Sequence, residues 1–151
     1  MTVPKMTSQR PEPGDGRYIL DDQVGFILRQ VSQRHTAIFA NGIGNGLTPT
    51  QWAAMAKLAE QGPCSQNLLG RRTAMDVATI KGVIQRLVKR GFAGTRPDPK
   101  DGRLLVVALT PEGEKAVEET LPRAHAISGE TLKPLSGAEC GTLIALLKRL
   151  C

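Results

Sequence analysis

Aromatic residues make up only 3% of this 151-residue chain, so its core has to come from leucine, isoleucine, valine and alanine. Modules that bind single-stranded nucleic acid stack bases on aromatic side chains, and the scarcity argues against that class. Apolar runs of the ~18 residues that span a bilayer are also missing. The N-terminus up to Gly16 is polar and rich in proline and glycine, without the apolar stretch of a secretory signal. We therefore expect a cytoplasmic protein with no membrane partner and a disordered tail over residues 1–17.

Cysteine and histidine are sparse as well, with three cysteines and two histidines in the chain. Cys64, Cys140 and Cys151 are odd in number and widely spaced, which predicts reduced thiols rather than a disulfide framework. No close pairing of cysteine or histidine indicates a zinc site. A nucleophile elbow and a phosphate-binding glycine loop are also missing from the sequence. The sequence therefore predicts neither an enzyme nor a bound metal or cofactor.

Positive charge is concentrated in one segment. Between Arg71 and Arg103 there are nine basic and three acidic residues, and nine minus three gives the +6 net charge of the whole chain. Everything outside this segment sums to zero. A polyanion partner would explain such confinement, because each neutralised phosphate releases counterions. A solvated basic face is the alternative.

Apolar periodicity and helix-breaking residues predict four helices, a β-wing and two more helices, which is a mainly α fold with a small β part (α+β). The first helix is expected over residues 21–39. The second begins after a Thr48 cap and ends at 61–63, and the third covers 66–72 after a Ser65 cap. The fourth begins after an Asp76 cap and ends at Gly91. A strand over 104–110 leads through a Thr110 cap into a long helix that Pro122 or Gly129 kinks or ends. A capping box at Ser136 opens a last helix that reaches Leu150.

The outer helices are amphipathic and neutral overall. We assign residues 18–46 and 111–151 to dimerisation helices, because apolar stripes without an evident partner favour a symmetric dimer. A monomer in which these helices fold back is the alternative. Residues 47–110 form the predicted winged helix-turn-helix, which places one element in a DNA major groove and another on the flanking backbone.

The fourth helix has two contrasting faces. Its predicted apolar arc consists of Val77, Ile80, Val83, Ile84, Leu87 and Val88. The opposite face carries small and polar residues, namely Ala78, Thr79, Gly82, Gln85, Arg86 and Lys89, with Lys81 at the border. Gln85 suits an adenine edge and Arg86 a guanine edge, although either could instead hold a phosphate. Glycine inside a helix costs about 1 kcal/mol relative to alanine, so Gly82 indicates tight packing or a close approach.

The wing tip, residues 98–103, has turn chemistry. Arg103 is expected to reach the minor groove, and Asp101 is expected to orient Arg103 or the fourth helix through a salt bridge. The predicted DNA-binding residues are Ser65, Gln66, Ala78, Thr79, Lys81, Gly82, Gln85, Arg86, Lys89, Arg96, Lys100, Asp101 and Arg103.

Four segments together, residues 47–52, 76–91, 98–103 and 109–113, resemble the MarR family of bacterial transcription regulators. The resemblance extends over residues 21–151. It implies a homodimer joined by its terminal helices, with one winged helix per subunit on a pseudo-palindromic operator of double-stranded DNA. Most members repress transcription, and many release DNA when a small aromatic acid binds between the dimerisation helices and the DNA-binding lobe. The family often has Asp-Arg-Arg at the wing tip, where this chain has Asp101-Gly102-Arg103 and so one cation fewer.

The resemblance also suggests an effector site for an aromatic or heteroaromatic carboxylic acid. Arg29 and His35 on the first helix are candidates for binding the carboxylate, and Phe39 and Trp52 for an aromatic wall. Each has a structural alternative. Arg29 could be a solvated surface residue, His35 could lie in the core or the dimer interface, and Phe39 and Trp52 could be core residues. Two other functions stay open, a redox-responsive regulator that uses Cys64 near the start of the third helix, and a non-specific architectural DNA-binding protein.

Overall fold

The structure is a computed structural model that describes residues 16–151. Most of the tail predicted over 1–17 lies outside the described residues. The described chain divides into two compact units at Gln33–Arg34. The first unit contains a short 3-10 helix, Leu20–Asp22, and the beginning of helix α1, Val24–Gly42.

The predicted start of the first helix at Asp21 is wrong. Gln23 is extended and separates the 3-10 turn from α1, and its side-chain amide donates to the carbonyl of Ile19 at 2.8 Å. Asp21 and Asp22 therefore lie outside the first turn of α1. On the first half of α1, the predicted apolar stripe is open to solvent, with Val24, Ile27, Leu28 and Val31 each more than 40% exposed.

The remaining elements follow the predicted order, with one addition. They are α2 (Pro49–Gln61), β1 (Cys64–Ser65), α3 (Gln66–Arg72), α4 (Val77–Lys89), β2 (Ala93–Pro97), β3 (Leu105–Leu109), α5 (Pro111–Leu132) and α6 (Gly137–Lys148). Strand β1 was not predicted, because two residues are too few to show an alternating pattern. It pairs with β3 in an antiparallel sheet of order β1-β3-β2, in which Thr95 faces Val107. Six helices and this small sheet confirm the α+β fold class.

Local capping chemistry explains why the helices begin where they do. Thr48 and Ser136 each form a capping box with the glutamine or glutamate three residues later. Ser65, Asp76 and Thr110 cap α3, α4 and α5 as predicted. The backbone N–H of Thr79 donates to Asp76 at 2.7 Å and lowers the pKa of that carboxyl, so this cap weakens as acid protonates it.

Of the two alternatives expected for α5, a kink or an early end, the early end does not occur, and α6 ends slightly before the predicted residue. Helix α5 runs through both Pro122 and Gly129 without ending, and stops at Leu132. Helix α6 ends at Lys148, two residues short of the expected Leu150. None of its residues is buried, and Ile144 and Leu146 are 42% and 49% exposed.

The core of the second unit lies under the winged helix. It joins α2, α3 and α4 to the sheet and to α5, with Met55, Leu69, Ile80, Leu87 and Val107 almost completely buried. At the two ends of the apolar arc predicted for α4, Val77 is 67% and Val88 41% exposed. Only the four middle residues of the arc reach the core, and the two valines line an outer cleft beside the wing.

Candidate DNA-binding face and effector cleft

Helix α4 places its buried stripe against the core and its polar side toward solvent. Of the side chains predicted to contact DNA from this helix, those of Ala78, Thr79, Lys81, Gln85, Arg86 and Lys89 are exposed. Gly82 lies among them, and a β carbon built on it would meet only the Nη1 of Arg86, at 3.4 Å. Packing within the described chain therefore does not require glycine at this position.

A cleft of about 540 Å³ separates α4 from the wing. Its lining includes Gln66, Lys81 and Gln85 among the predicted DNA contacts. Ser65 is half-buried, and its hydroxyl oxygen accepts the N–H of Leu68 at 3.2 Å, so its first role is to cap α3. Arg96 is exposed on β2.

The wing tip is held together by its own acidic residues. The carboxylate of Asp98 accepts the backbone N–H groups of Lys100 and Asp101 at 2.7 and 3.1 Å. Asp101 in turn accepts both the backbone N–H and the side-chain Nε–H of Arg103, each at 3.1 Å. The predicted Asp101–Arg103 salt bridge is thus present in the structure. With both carboxylates engaged inside the turn, the Arg103 side chain projects 91% exposed and Lys100 is exposed beside it.

Arg90 follows α4 and is also exposed, but unlike the cations on the polar side of α4 it is hydrogen-bonded to a distant part of the chain. Its guanidinium donates to the carbonyls of Asn45 and Gly46 and to Oε1 of the buried Gln51, the last two at 3.4 Å. It also lies 4.8 Å from the ring centroid of Phe92. Sequence reasoning counted Arg90 only as part of the basic segment, because nothing in the pattern indicates a partner more than 40 residues away.

The residues proposed to bind an effector have different local environments. Arg29 is exposed on the first half of α1. His35 is half-buried, and its Nδ1 lies 2.8 Å from the hydroxyl oxygen of Thr131. Phe39 is buried in the core, and Trp52 packs against that core.

A separate cleft of about 480 Å³ lies between the end of α1 and α5, and we call it the α1–α5 cleft. It is lined by Ile38, Asn41, Gly42, Arg123, Ala126, Ile127 and Glu130. Arg123 and Glu130 provide charges of opposite sign, while isoleucine and alanine side chains provide the apolar wall. Arg123 was missed by sequence analysis, since no periodicity distinguishes it from other exposed cations of a long helix.

Three further observations concern the membrane, metal and cysteine predictions. Within residues 16–151 no helix is long and apolar enough to cross a bilayer, and no cluster of three or more histidine, cysteine, aspartate or glutamate side chains could hold a metal. Cys64 is half-buried in β1, paired with Val107.

Comparison with known proteins matches both the winged-helix segment and the whole chain. A model of the MarR family matches residues 45–104. The HTH-type transcriptional repressor NicR of Pseudomonas putida is 36% identical over 148 residues, covering 97% of this chain and 94% of NicR.

Solved structures give the same result. A probable transcriptional regulator from Pseudomonas aeruginosa is 59% identical with a TM-score of 0.86, covering 88% of this chain and 100% of that one. BpsR of Bordetella bronchiseptica, described through the regulation of its DNA binding by 6-hydroxynicotinic acid, is 40% identical with a TM-score of 0.86. That match covers 89% of this chain and 97% of BpsR. These relatives are transcriptional regulators, and no enzyme family is indicated. The chain belongs to the MarR family of winged-helix transcriptional regulators.

Proposed function

We propose that this protein is a cytoplasmic homodimeric repressor that binds a pseudo-palindromic operator in double-stranded DNA. The observation that carries the proposal is the exposed polar side of α4 together with a wing tip whose carboxylates, Asp98 and Asp101, accept hydrogen bonds from within the turn. Such a face presents hydrogen-bond donors to base edges and cations to the flanking phosphates. The repressor function follows that of the similar protein NicR.

Dimerisation is supported by apolar side chains that the single chain leaves uncovered. Val24, Ile27 and Val31 on α1 are 64%, 43% and 49% exposed, and Ile144 and Leu150 near the C-terminus are 42% and 72% exposed. A twofold dimer would present two recognition helices to half-sites about one helical turn, roughly 34 Å, apart.

The test is a gel shift with duplexes selected from a random library, compared with single strands and with unrelated duplex competitor. We expect duplex-specific binding whose affinity falls steeply with salt, with a log–log slope of about −0.9 for each phosphate neutralised. If unrelated duplex competes for the protein as effectively as the selected duplex does, the protein is a non-specific architectural DNA-binding protein. Absence of duplex binding in dilute buffer would refute the proposal.

Gly82→Ala is expected to change stability and DNA binding in opposite directions. The methyl group meets only Arg86 Nη1, at 3.4 Å, so the helix should gain up to about 1 kcal/mol. If the α4 backbone approaches the major groove at this point, the same methyl group should weaken operator binding about tenfold, the cost of one lost base contact. Thermal melting and gel shifts measure the two effects. Gly129→Ala, on α5 with no atom within 4 Å of its β position, is the control for the stability gain alone. Unchanged operator affinity would show that Gly82 does not approach DNA.

Arg103→Ala is expected to weaken binding to all duplexes about equally and to reduce the salt slope by about one per half-site, because a wing-tip cation neutralises phosphate without reading a base. Binding to selected and scrambled duplexes over a salt series provides the measurement. A loss confined to the selected sequence would place Arg103 on a base edge instead.

For the effector we propose a hydroxylated aromatic or heteroaromatic carboxylic acid bound in the α1–α5 cleft. Arg123 offers a cation for the carboxylate, and Glu130, about 10 Å along the same helix, offers an acceptor for a ring hydroxyl. His35, by contrast, already has one ring nitrogen bonded to Thr131. The effector class agrees with the acid that regulates BpsR.

A panel of acids tests the effector proposal. 6-Hydroxynicotinic acid should raise the melting temperature and release the operator, nicotinic acid should act more weakly, and cyclohexanecarboxylic acid should have little effect. Arg123→Ala and Arg29→Ala remove the same charge from two different helices, so their comparison decides which cation binds the carboxylate. If no acid of the panel shifts either the melting temperature or DNA binding, the effector proposal is refuted and the DNA-binding proposal is not.

A further inference from the structure

We infer that Arg90 and Arg123 hold the same backbone turn, and that this turn transmits occupancy of the α1–α5 cleft to the end of the recognition helix α4. The inference rests on the proposed function, because it requires an acid in the cleft and DNA on α4. It assigns a positioning role to two arginines that neither the charge pattern nor the DNA-binding face requires.

The turn consists of residues 44–46, between α1 and α2. Gly44, Asn45 and Gly46 have φ angles of +73°, +54° and +62°, three consecutive residues in the left-handed region. Only glycine enters that region without cost, and such a conformation persists when surrounding contacts determine it. The turn is therefore a segment whose shape depends on the groups that touch it.

Arg90 holds the carbonyl side of the turn. Its two terminal nitrogens reach the carbonyls of Asn45 and Gly46, and one of them also reaches the amide oxygen of Gln51. The same residue caps the C-terminal end of α4, and its guanidinium faces the Phe92 ring at 4.8 Å. A movement of the turn would therefore pull directly on the end of the recognition helix.

Arg123 touches the same turn at Gly44. Its guanidinium occupies the space where a β carbon of Gly44 would stand, and its Cζ would be 3.0 Å from that atom. The same side chain lines the α1–α5 cleft, and no acidic side chain of residues 16–151 pairs with it. A carboxylate in the cleft would draw this cation away from Gly44, because a charge-assisted hydrogen bond is stronger than a contact with a glycine backbone.

Two states follow from this geometry. With the cleft empty, Arg123 rests on Gly44, and the turn and α4 keep the arrangement that binds DNA. With an acid bound, Arg123 leaves the turn and the end of α4 loses its fixed position. By linkage, the acid must weaken DNA binding by the same factor by which DNA weakens acid binding. A change that displaces Arg123 from Gly44 but keeps its charge should weaken DNA binding and strengthen acid binding.

Gly44→Ala and Gly46→Ala separate this effect from backbone strain. Both variants place a methyl group at a positive φ, but only the methyl at residue 44 collides with Arg123, while residue 46 has open space. With 6-hydroxynicotinic acid as the probe, Gly44→Ala should bind the acid more tightly and the operator more weakly than Gly46→Ala. The acid should weaken operator binding of the parent by about 5- to 150-fold, a usual range for allosteric coupling, and hardly that of Gly44→Ala.

Arg90→Lys tests the contact of Arg90 with the turn. Lysine keeps the charge but cannot donate to three acceptors in the fixed planar arrangement of a guanidinium. Operator affinity should fall with an unchanged salt slope, and the acid response should be lost while acid binding is retained. If Arg90 simply contacted a phosphate, Arg90→Lys would keep its affinity, and Arg90→Ala would lower the salt slope by about one per half-site.

The possible failures can be told apart. Equal behaviour of Gly44→Ala and Gly46→Ala, or a normal acid response in Arg90→Lys, overturns the inference while the parent still binds operator and acid. A parent that binds the operator but ignores the acid refutes the effector proposal, and the inference with it.

Discussion

Gly113→Ala is expected to destabilise the fold by about 3 kcal/mol, the upper part of the usual range for overpacking. Gly113 lies in the first turn of α5, and a β carbon there would fall on the carbonyl oxygen of Phe92, with the carbonyl carbon at 2.9 Å. That carbonyl cannot easily move, because it accepts the backbone N–H of Thr110 at 3.1 Å. The added methyl group would also meet a side-chain methyl of Leu109 at 3.2 Å.

The measurement is thermal unfolding at a fixed protein concentration, since the melting temperature of a dimer depends on concentration. A loss of ~3 kcal/mol corresponds to a fall of roughly 6–12 °C for a chain of this size. Gly129→Ala in the same helix, with open space at its β position, should raise the melting temperature slightly. Similar melting temperatures for the two variants would mean that the contact between α5 and Phe92 relaxes at little cost.

Arg86→Ala is expected to cost about 1–3 kcal/mol of operator affinity per half-site and to relax sequence preference at one position of each half-site. Arg86 is exposed on the polar side of α4, and its guanidinium extends back over Gly82, so it lies along the surface that would face the groove. In a dimer both copies are lost together, which makes this the largest binding effect that we predict for a single substitution. Gln85→Ala on the neighbouring exposed position should behave similarly, because a side-chain amide matches an adenine edge.

Selection of preferred duplexes by the parent and by each variant, followed by titration, measures both affinity and preference. Arg103→Ala removes the same charge as Arg86→Ala from the wing tip and serves as the matched control. A uniform loss across all duplexes in Arg86→Ala would assign this residue to a phosphate and leave base reading to other side chains.

Sequence reasoning succeeded where the signal is local. The caps at Thr48, Ser65, Asp76, Thr110 and Ser136 were identified because a side chain bonds to a backbone N–H only two or three residues away. The Asp101–Arg103 pair is equally local, and its salt bridge is present.

The errors arose where a distant part of the chain decides. Periodicity identified the apolar arc of α4 but not which of its residues are buried, because that depends on where the neighbouring elements stop, and Val77 and Val88 are left exposed. Strand β1 exists only because β3 pairs with it. Pro122 and Gly129 were expected to kink or end α5, and the helix does not end at either residue, which shows that breaking residues do not by themselves end a helix whose inner side is buried.

The basic segment, the helix caps and the two faces of α4 could be predicted from the sequence, because these features depend only on residues that are neighbours along one helix or turn. These features predicted a winged-helix regulator with an exposed cationic face. Only the tertiary structure showed that Arg90 donates hydrogen bonds from the end of α4 to the turn before α2 and to Gln51. It also decided that Arg123 lies between a cleft and the Gly44 turn, since only folding brings residues so far apart in the chain into contact.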